Sequence, residues 1–460
     1  MTRFTSATDD DREQMLAAVG ARSIEELFAD IPPNLRLKRP LELRDGLPEE
    51  QVHDELAELA RRNVDAERES CFLGAGMYDH YVPAIVDSIT QRSEFLTPYT
   101  PYQPEVSQGT LQVMFEFQTM ISELTGLPVA NASLYEGPSS VAAAAYLAKQ
   151  HTGRSRIVVS RAVHPHSRET LATYAVGFGC EVVEVPLAGG ATDADALAAA
   201  VDSDTAAVIL QQPNFLGAVE DLERLAPIAK ATGALLVTSV DALTLGVLRP
   251  PGEFGADIAL GEGQMLGNRL DFGGPSFGFF AAREEYVRRM PGRIAGEALD
   301  ADGRRGFVLT LQTREQHIRR EKATSNICTS QALNATAGTI YLAWLGRQGI
   351  VEIGELMAKR TAYARKRLTQ IEGVELLHSE PVVREFALRL SAPVDRVLDH
   401  CAMRGIAAGY ALGHDYGELA DGLLVAITER RSRADIDRLA DALADALVRT
   451  AEPESAAVST

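Results

Sequence analysis

GADIALGEGQMLGNRLDFGGPSFGFF, residues 255–280, is a strand-like run that breaks into a glycine-rich turn and enters a second apolar run. Ala256, Ile258 and Leu260 carry the first run and Phe277 to Ala282 the second; short apolar runs bounded by Gly and Pro read as buried strands. Such a turn, at the end of a strand in an α/β protein, is where reactive side chains gather. The polar side chain at its start is the amide of Gln264. The six lysines of the chain are Lys38, Lys149, Lys230, Lys322, Lys359 and Lys366, so no amine lies between Lys230 and Lys322.

Outward from this stretch, strands are predicted at Arg156–Ser160, Glu181–Pro186, Ala206–Leu210, Ala234–Ser239, Ala256–Leu260 and Phe277–Ala281. Helical patterns at Ser139–His151, Arg168–Phe178 and Leu222–Thr232 separate several of them. That alternation predicts a doubly wound α/β domain around a mainly parallel sheet. Residues 1–75 read as an N-terminal helical arm, with a Ser23/Glu26 capping box and with Pro48 at the start of a helix. The large domain is expected over 76–335. A small α+β domain is expected over 336–450, with two long helical stretches, strands at Val374–Leu377, Glu385–Leu390 and Leu423–Thr428, and a last helix capped by Ser432 and Asp435. Residues 451–460 read as a frayed tail.

The 460 residues, 46% of them hydrophobic, suffice for a large core, and the formal net charge of −19 argues against nucleic acid and anionic membrane as partners. Cys71, Cys180, Cys328 and Cys401 lack paired spacing, so neither a metal site nor a disulfide framework is expected, and a reducing cytoplasm fits. No secretory leader and no bilayer-spanning run is recognisable.

Four further features fall in chain order. Gly137-Pro138-Ser139-Ser140 opens a helix, either as a phosphate cup of free N–H groups and hydroxyls or as a plain cap. His164 follows a strand, to stack on a planar ring or to sit in a loop beside Pro165. Asn214, in Gln212-Pro213-Asn214, reaches a phenolic oxygen or makes a turn. Asp241 ends the strand ALLVTSV, to hold a protonated ring nitrogen or to cap a helix. In this order they resemble the fold-type I pyridoxal-phosphate enzymes of the aminotransferase type, whose Schiff-base lysine would stand at Gln264. An amide cannot form a Schiff base, so the chemistry is expected on another polypeptide or lost.

Two other stretches stand out. Tyr99-Thr100-Pro101-Tyr102-Gln103-Pro104-Glu105 suits either a loop projecting into a shared pocket or a rigid surface loop. Arg283 to Lys322 carries ten basic against seven acidic residues, inverting the charge of the chain. It reads as a steering surface for an acidic partner or a carboxylate substrate, or as a solvated helix face.

CFLGAGMYDHYVP (71–83), YTPYQPEVSQGTL (99–111), QQPNFLGAVEDL (211–222), LGVLRPPGEFGADIALGEGQ (245–264), FGGPSFGFF (272–280) and REQHIRREKATSNICTSQAL (314–333) are similar to the glycine cleavage system P-protein family, from about residue 4 to about residue 448. Within it they resemble the lysine-free N-terminal half, encoded separately as subunit 1 of the decarboxylating glycine dehydrogenase. The resemblance implies a fold-type I chain that binds no cofactor covalently, with pyridoxal 5'-phosphate on a lysine-bearing subunit 2, and Gln264 is what it leads one to expect. It implies glycine decarboxylation and aminomethyl transfer to the lipoyl arm of H-protein, by an assembly with two copies of each subunit. Tyr99, Thr100, Tyr102, Gln103 and His317 become candidate contributors to the partner's site. Ser139, Ser140, His164, Asn214, Asp241 and Gln264 become positions of a vestigial cofactor pocket. Two departures touch only that pocket: Glu136-Gly137-Pro138 replaces a DGA-like sequence, and Asp241-Ala242 an Asp-Pro. The alternative from another class is a non-catalytic regulatory or scaffold protein on the same fold; an independent enzyme using another lysine is a third.

Overall fold

The structure, a computed structural model, describes residues 6–451. The expected frayed tail, apart from the last helical residue Ala451, lies outside the described residues. The chain forms two compact units, 1–64 and 65–460.

In the first unit, helix α1 (Asp9–Val19) starts at a Thr8/Asp11 capping box and ends at Gly20 in the left-handed region, and helix α2 is Glu49–Ala60. Pro48 is the N-cap of α2, one position outside its first turn. The Ser23 box is half formed: Glu26 N–H donates to Ser23 Oγ, but the Glu26 carboxylate is taken by Arg22 N–H at 2.8 Å. No residue of these helices is buried, and Leu35, Leu37, Leu41 and Leu43 are exposed.

In the second unit, helix α3 (Gln108–Thr125) precedes a seven-stranded sheet. Its strands are β1 (Val129–Ala130), β2 (Arg156–Ser160), β3 (Glu181–Val185), β4 (Thr205–Gln212), β5 (Leu235–Val240), β6 (Ile258–Glu262) and β7 (Gly278–Ala282). The order is β1-β7-β6-β5-β4-β2-β3, parallel except at β7. Each of the six expected strands lies within two residues of its predicted bounds. The helices between them are α4 (Gly137–Thr152), α5 (Pro165–Phe178) and α6 (Leu222–Lys230).

Strand periodicity divides the core. Ile157, Val159, Ile209 and Val237 pack with Val141, Ala144, Ala145 and Ala148 of α4, while Val158, Val208 and Leu236 pack with Leu222 and Leu225 of α6. Both faces are covered, which is why these strands read as continuous apolar runs rather than alternating ones. The parallel strands all end on one edge, and the loops leaving that edge build the site.

The segment Arg283–Lys322 is not a helix face. It holds the hairpin β8 (Ala295–Leu299) and β9 (Arg305–Leu309) between short 3₁₀ turns. The Asp300 carboxylate accepts from Asp302 and Arg304 N–H, and Gly303 takes φ +78°, so the tip residues close a tight turn instead of propagating a helix.

Helix α7 (Ala332–Leu368) is two helical stretches joined at Gly346, whose backbone is non-helical. A four-stranded antiparallel sheet follows, from β10 (Val374–Leu376), β11 (Glu385–Leu390), β12 (Tyr410–Ala411) and β13 (Gly422–Ala426), in the order β10-β11-β13-β12. Helices α8 (Val394–Ala402) and α9 (Arg433–Ala451) pack on it through Val397, Cys401, Leu439 and Leu443.

Ile209 is fully buried at the centre of the large sheet. Ile209→Ala is expected to lower the urea midpoint, by an amount corresponding to roughly 2–5 kcal/mol. Val176→Ala, at a side chain 85% exposed, is expected to leave the midpoint nearly unchanged in the same titration.

Candidate functional site

At the C-terminal edge of the parallel strands lies a cavity of about 510 Å³. Its walls come from the loops after β2, β4, β5 and β6, the start of α4, the segment 75–78, and Arg384 and Glu385 at the head of β11. These are the places where a fold-type I enzyme holds its cofactor, so each expected residue can be tested against that use.

The phosphate end comes first. Gly137 N–H donates to Glu262 Oε2 at 3.0 Å and Ser139 N–H to Glu136 Oε1 at 3.0 Å. The Ser139 and Ser140 hydroxyls both donate to Glu136 O. Glu262 Oε1 also accepts from Gly263 and Gln264 N–H and from Ser276 Oγ. Two carboxylates therefore occupy the N–H groups that a phosphate would use. Burial holds the Glu262 carboxyl above its ordinary range, against the opposing hydrogen bonds from Ser276 and the backbone.

The ring positions are also taken. His164 Nδ1 accepts from His166 N–H, so Nε2 carries the proton and donates to Ala75 O at 2.8 Å. Burial lowers His164 to about 4, so it is neutral. A Cβ at Gly76 would fall 2.7 Å from Nε2, which places the backbone of this segment directly against the imidazole. Asn214 spends its amide locally: Oδ1 accepts from Leu216 and Ala218 N–H, and Nδ2 donates to Gly190 O and Glu220.

Asp241 takes neither of its expected roles. One oxygen accepts from Leu243 N–H and the other pairs with Arg384 Nη2 at 2.5 Å. Arg384 is 2% exposed, its guanidinium lies 3.4 Å from the Tyr78 ring centroid, and Nη1 donates to His80 Nε2. His80 Nδ1–H in turn donates to Glu429, which also accepts from Tyr81 N–H. Tyr78 O–H donates to Glu385 Oε2 at 2.7 Å, and Glu385 Oε1 accepts from Ala75 N–H. Burial raises Glu385 to about 7, opposed by those two hydrogen bonds and by Arg384.

Gln264 answers the question posed by the sequence. Its Oε1 accepts from Tyr78 N–H at 2.9 Å, and its Nε2 donates to Tyr78 O at 3.0 Å and to Asn268 O at 2.9 Å. The fully buried amide clamps residue 78 as a neighbouring strand would, using an acceptor that lysine lacks. The residues present do not fit the phosphate, ring and aldehyde of pyridoxal 5'-phosphate.

A second cluster joins the tyrosine-rich loop to residues 293–329. Arg293 Nη2 donates to the Tyr102 hydroxyl oxygen at 2.6 Å, and Arg293 pairs with Glu315. The His317 ring meets Tyr102 edge-on at 5.5 Å, and Thr100 Oγ1 bonds Thr329 Oγ1. Cys328 Sγ accepts from Arg293 at 3.4 Å; although burial pushes its thiol up, the Thr329 hydroxyl and the Arg293 charge bring it below its ordinary value. Tyr102 and His317 thus meet and Thr100 joins the cluster through Thr329, whereas Tyr99 is 76% exposed and Gln103 is an exposed N-cap of the Pro104–Val106 turn. Arg293 and Glu315 were read only as members of the charged stretch 283–322, and Cys328, Tyr78, Arg384 and Glu385 were given no individual role from sequence. Adjacent charges opening an apolar strand, as at Arg384-Glu385, are a signal that could have found the last two.

Two outcomes are expected. Gln264→Lys loses the acceptor for Tyr78 N–H and buries an amine, so it melts at lower temperature and develops no visible aldimine absorbance with pyridoxal phosphate. Glu385 binds its proton more tightly when folded, so its contribution weakens as pH rises from about 4.5 through about 7. Melting temperature should therefore fall less between pH 5 and pH 7.5 in Glu385→Gln than in the unsubstituted chain.

The comparisons agree with this geometry. A family model described as glycine cleavage system P-protein matches residues 2–443. The chain is 50% identical over 441 residues to a "Probable glycine dehydrogenase (decarboxylating) subunit 1" of Carboxydothermus hydrogenoformans, covering 96% of this chain and 99% of that protein. It is 48% identical over 443 residues, with the same coverage, to a protein of that name in Geobacillus thermodenitrificans. Among solved structures, an inhibitor-bound glycine decarboxylase (P-protein) of the glycine cleavage system superposes with a TM-score of 0.85 at 44% identity, over 97% of this chain and all of that one. A sphingosine-1-phosphate lyase of Burkholderia pseudomallei, at TM-score 0.65 and 17% identity over 92% of this chain and 94% of that one, shares the fold alone. With a match along nearly its whole length, the chain belongs to the glycine cleavage system P-protein family.

Proposed function

We propose that this chain is the lysine-free subunit of a heteromeric glycine decarboxylase, completing and shaping an active site whose cofactor sits on a lysine-bearing subunit 2. The observation that carries this reading is the Gln264 clamp: the place of the nucleophile is filled by a side chain with a different occupation. When bound on the partner, pyridoxal 5'-phosphate supplies the electron sink for decarboxylation of glycine. No step of that chemistry is assigned to this chain's own cavity.

This chain's contribution is assigned to the loop Tyr99–Gln103 and to His317. Tyr102 and His317 form a pre-organised pair, with the Tyr102 hydroxyl held by Arg293 and its ring between cation and imidazole. Such a pair orients a small polar substrate and keeps water from it once a partner closes over the loop. The exposed leucines of the first unit and the exposed Tyr99 support a partner, because apolar side chains in such number are covered in a stable assembly. In the same reading the assembly has two copies of each subunit, works in the cytoplasm, and passes the aminomethyl group to the lipoyl arm of H-protein. Among the described residues no helix is long and apolar enough to cross a membrane.

The test is glycine-dependent release of labelled CO2, with H-protein and pyridoxal phosphate, from this chain, from the lysine-bearing partner, and from both. Activity is expected only from the mixture; a fully active partner alone would make this chain a regulator or scaffold. Tyr102→Phe and His317→Gln are expected to reduce kcat of the mixture roughly tenfold or more while the two chains still co-elute.

A further inference from the structure

A second cavity, of about 550 Å³, lies between the end of α4 and the segment 288–324. Its charged lining is Arg288, Arg289, Arg314, Arg319 and Lys322, and none of the residues lining it is a carboxylate. Among the described residues, none of these five cations has an ion pair, in a chain that is strongly acidic overall. Arg314 is the built part of the site. It is 8% exposed, and its Nη1 donates to Met290 O at 2.6 Å. Its Nε and Nη2 are buried and have no partner.

Those two atoms are the parallel donors along one edge of a guanidinium, the edge that matches two oxygens of an oxyanion. Each exposes less than 1 Å², so an anion in the cavity reaches them only once the guanidinium turns toward it, and pairing there relieves the cost of leaving them dry. Burial, and then the Arg293 charge, pull Arg314 down to about 10, which keeps it cationic at neutral pH. Arg293 is itself held by Glu315. One protein carboxylate would bring a single charge to five cations, whereas a phosphate group brings nearly two and enough oxygens for the fork, the Thr313 and Thr324 hydroxyls and the rim cations. The volume exceeds that of a bare phosphate and is in the range of small-molecule sites.

We propose that this cavity binds a phosphate-bearing small molecule, with Arg314 as its bidentate anchor and Arg288, Arg289, Arg319 and Lys322 as its rim. The proposal stands apart from the decarboxylase reading, because binding is measured without activity. The experiment is calorimetric titration of the full chain, alone and in complex with the lysine-bearing partner, with inorganic phosphate and pyrophosphate. Acetate at matched ionic strength is the comparator. The expected result is saturable one-to-one binding, tighter for pyrophosphate, retained in the complex and weakened about tenfold or more by Arg314→Gln. Because that position is buried, the rim pair Arg289→Gln/Lys322→Gln is titrated as well and is expected to weaken pyrophosphate severalfold with an unchanged circular dichroism spectrum. Binding no stronger than that of acetate overturns the proposal, as does indifference to both variants. Binding that vanishes in the complex also overturns it, since the cations then belong to the contact with the partner.

Discussion

A guanidinium removed from water has to be neutralised where it stands, and Arg384 is so placed, at the head of a strand in the small sheet. Asp241 reaches it from the end of β5 in the large sheet, Tyr78 lies under it, and His80 relays it to Glu429. The two sheets and the segment between Phe72 and Tyr81 are therefore joined by one set of interdependent groups. The same crowding explains Glu385, which is beside the Arg384 charge yet so deeply buried that its proton is held more tightly than usual. Asp241 is the largest of the countercharges that hold Arg384 ionised, ahead of Glu385 and Glu429.

Around that network the groups of a cofactor site have found internal partners. The helix terminus of α4 is met by Glu136 and Glu262, the imidazole of His164 by a backbone carbonyl, and the amide of Gln264 by the backbone of Tyr78. Further open, polar groups lie along residues 99–103 and 288–328.

Much of the fold was legible in the sequence because parallel strands covered on both faces appear as apolar runs, and β2 matches its predicted bounds at both ends. The hairpin at 295–309 was not legible: its charged residues mask the alternation, and its turn depends on Asp300 and Gly303. For the site, chain order located the cavity, but the partners were out of reach. Asp241 and Arg384 are far apart in sequence, and nothing local shows that the aspartate is taken by a guanidinium rather than a ring nitrogen. Thr100, Tyr102 and His317 were named from two distant stretches, and the ring contact between the latter two depends on Arg293 and Glu315, residues to which pattern gives no role.

The Gln264 clamp also constrains the history open to this chain. A single substitution that placed an amine at the position would meet a helix terminus already occupied by Glu262 and Glu136, an imidazole with the backbone of Gly76 close against its Nε2, and an aspartate committed to Arg384. Each obstacle would have to be removed before the amine was useful, and each removal alone leaves a buried polar group stranded. Any path from this cavity to one that holds an aldehyde cofactor therefore crosses several less stable intermediates.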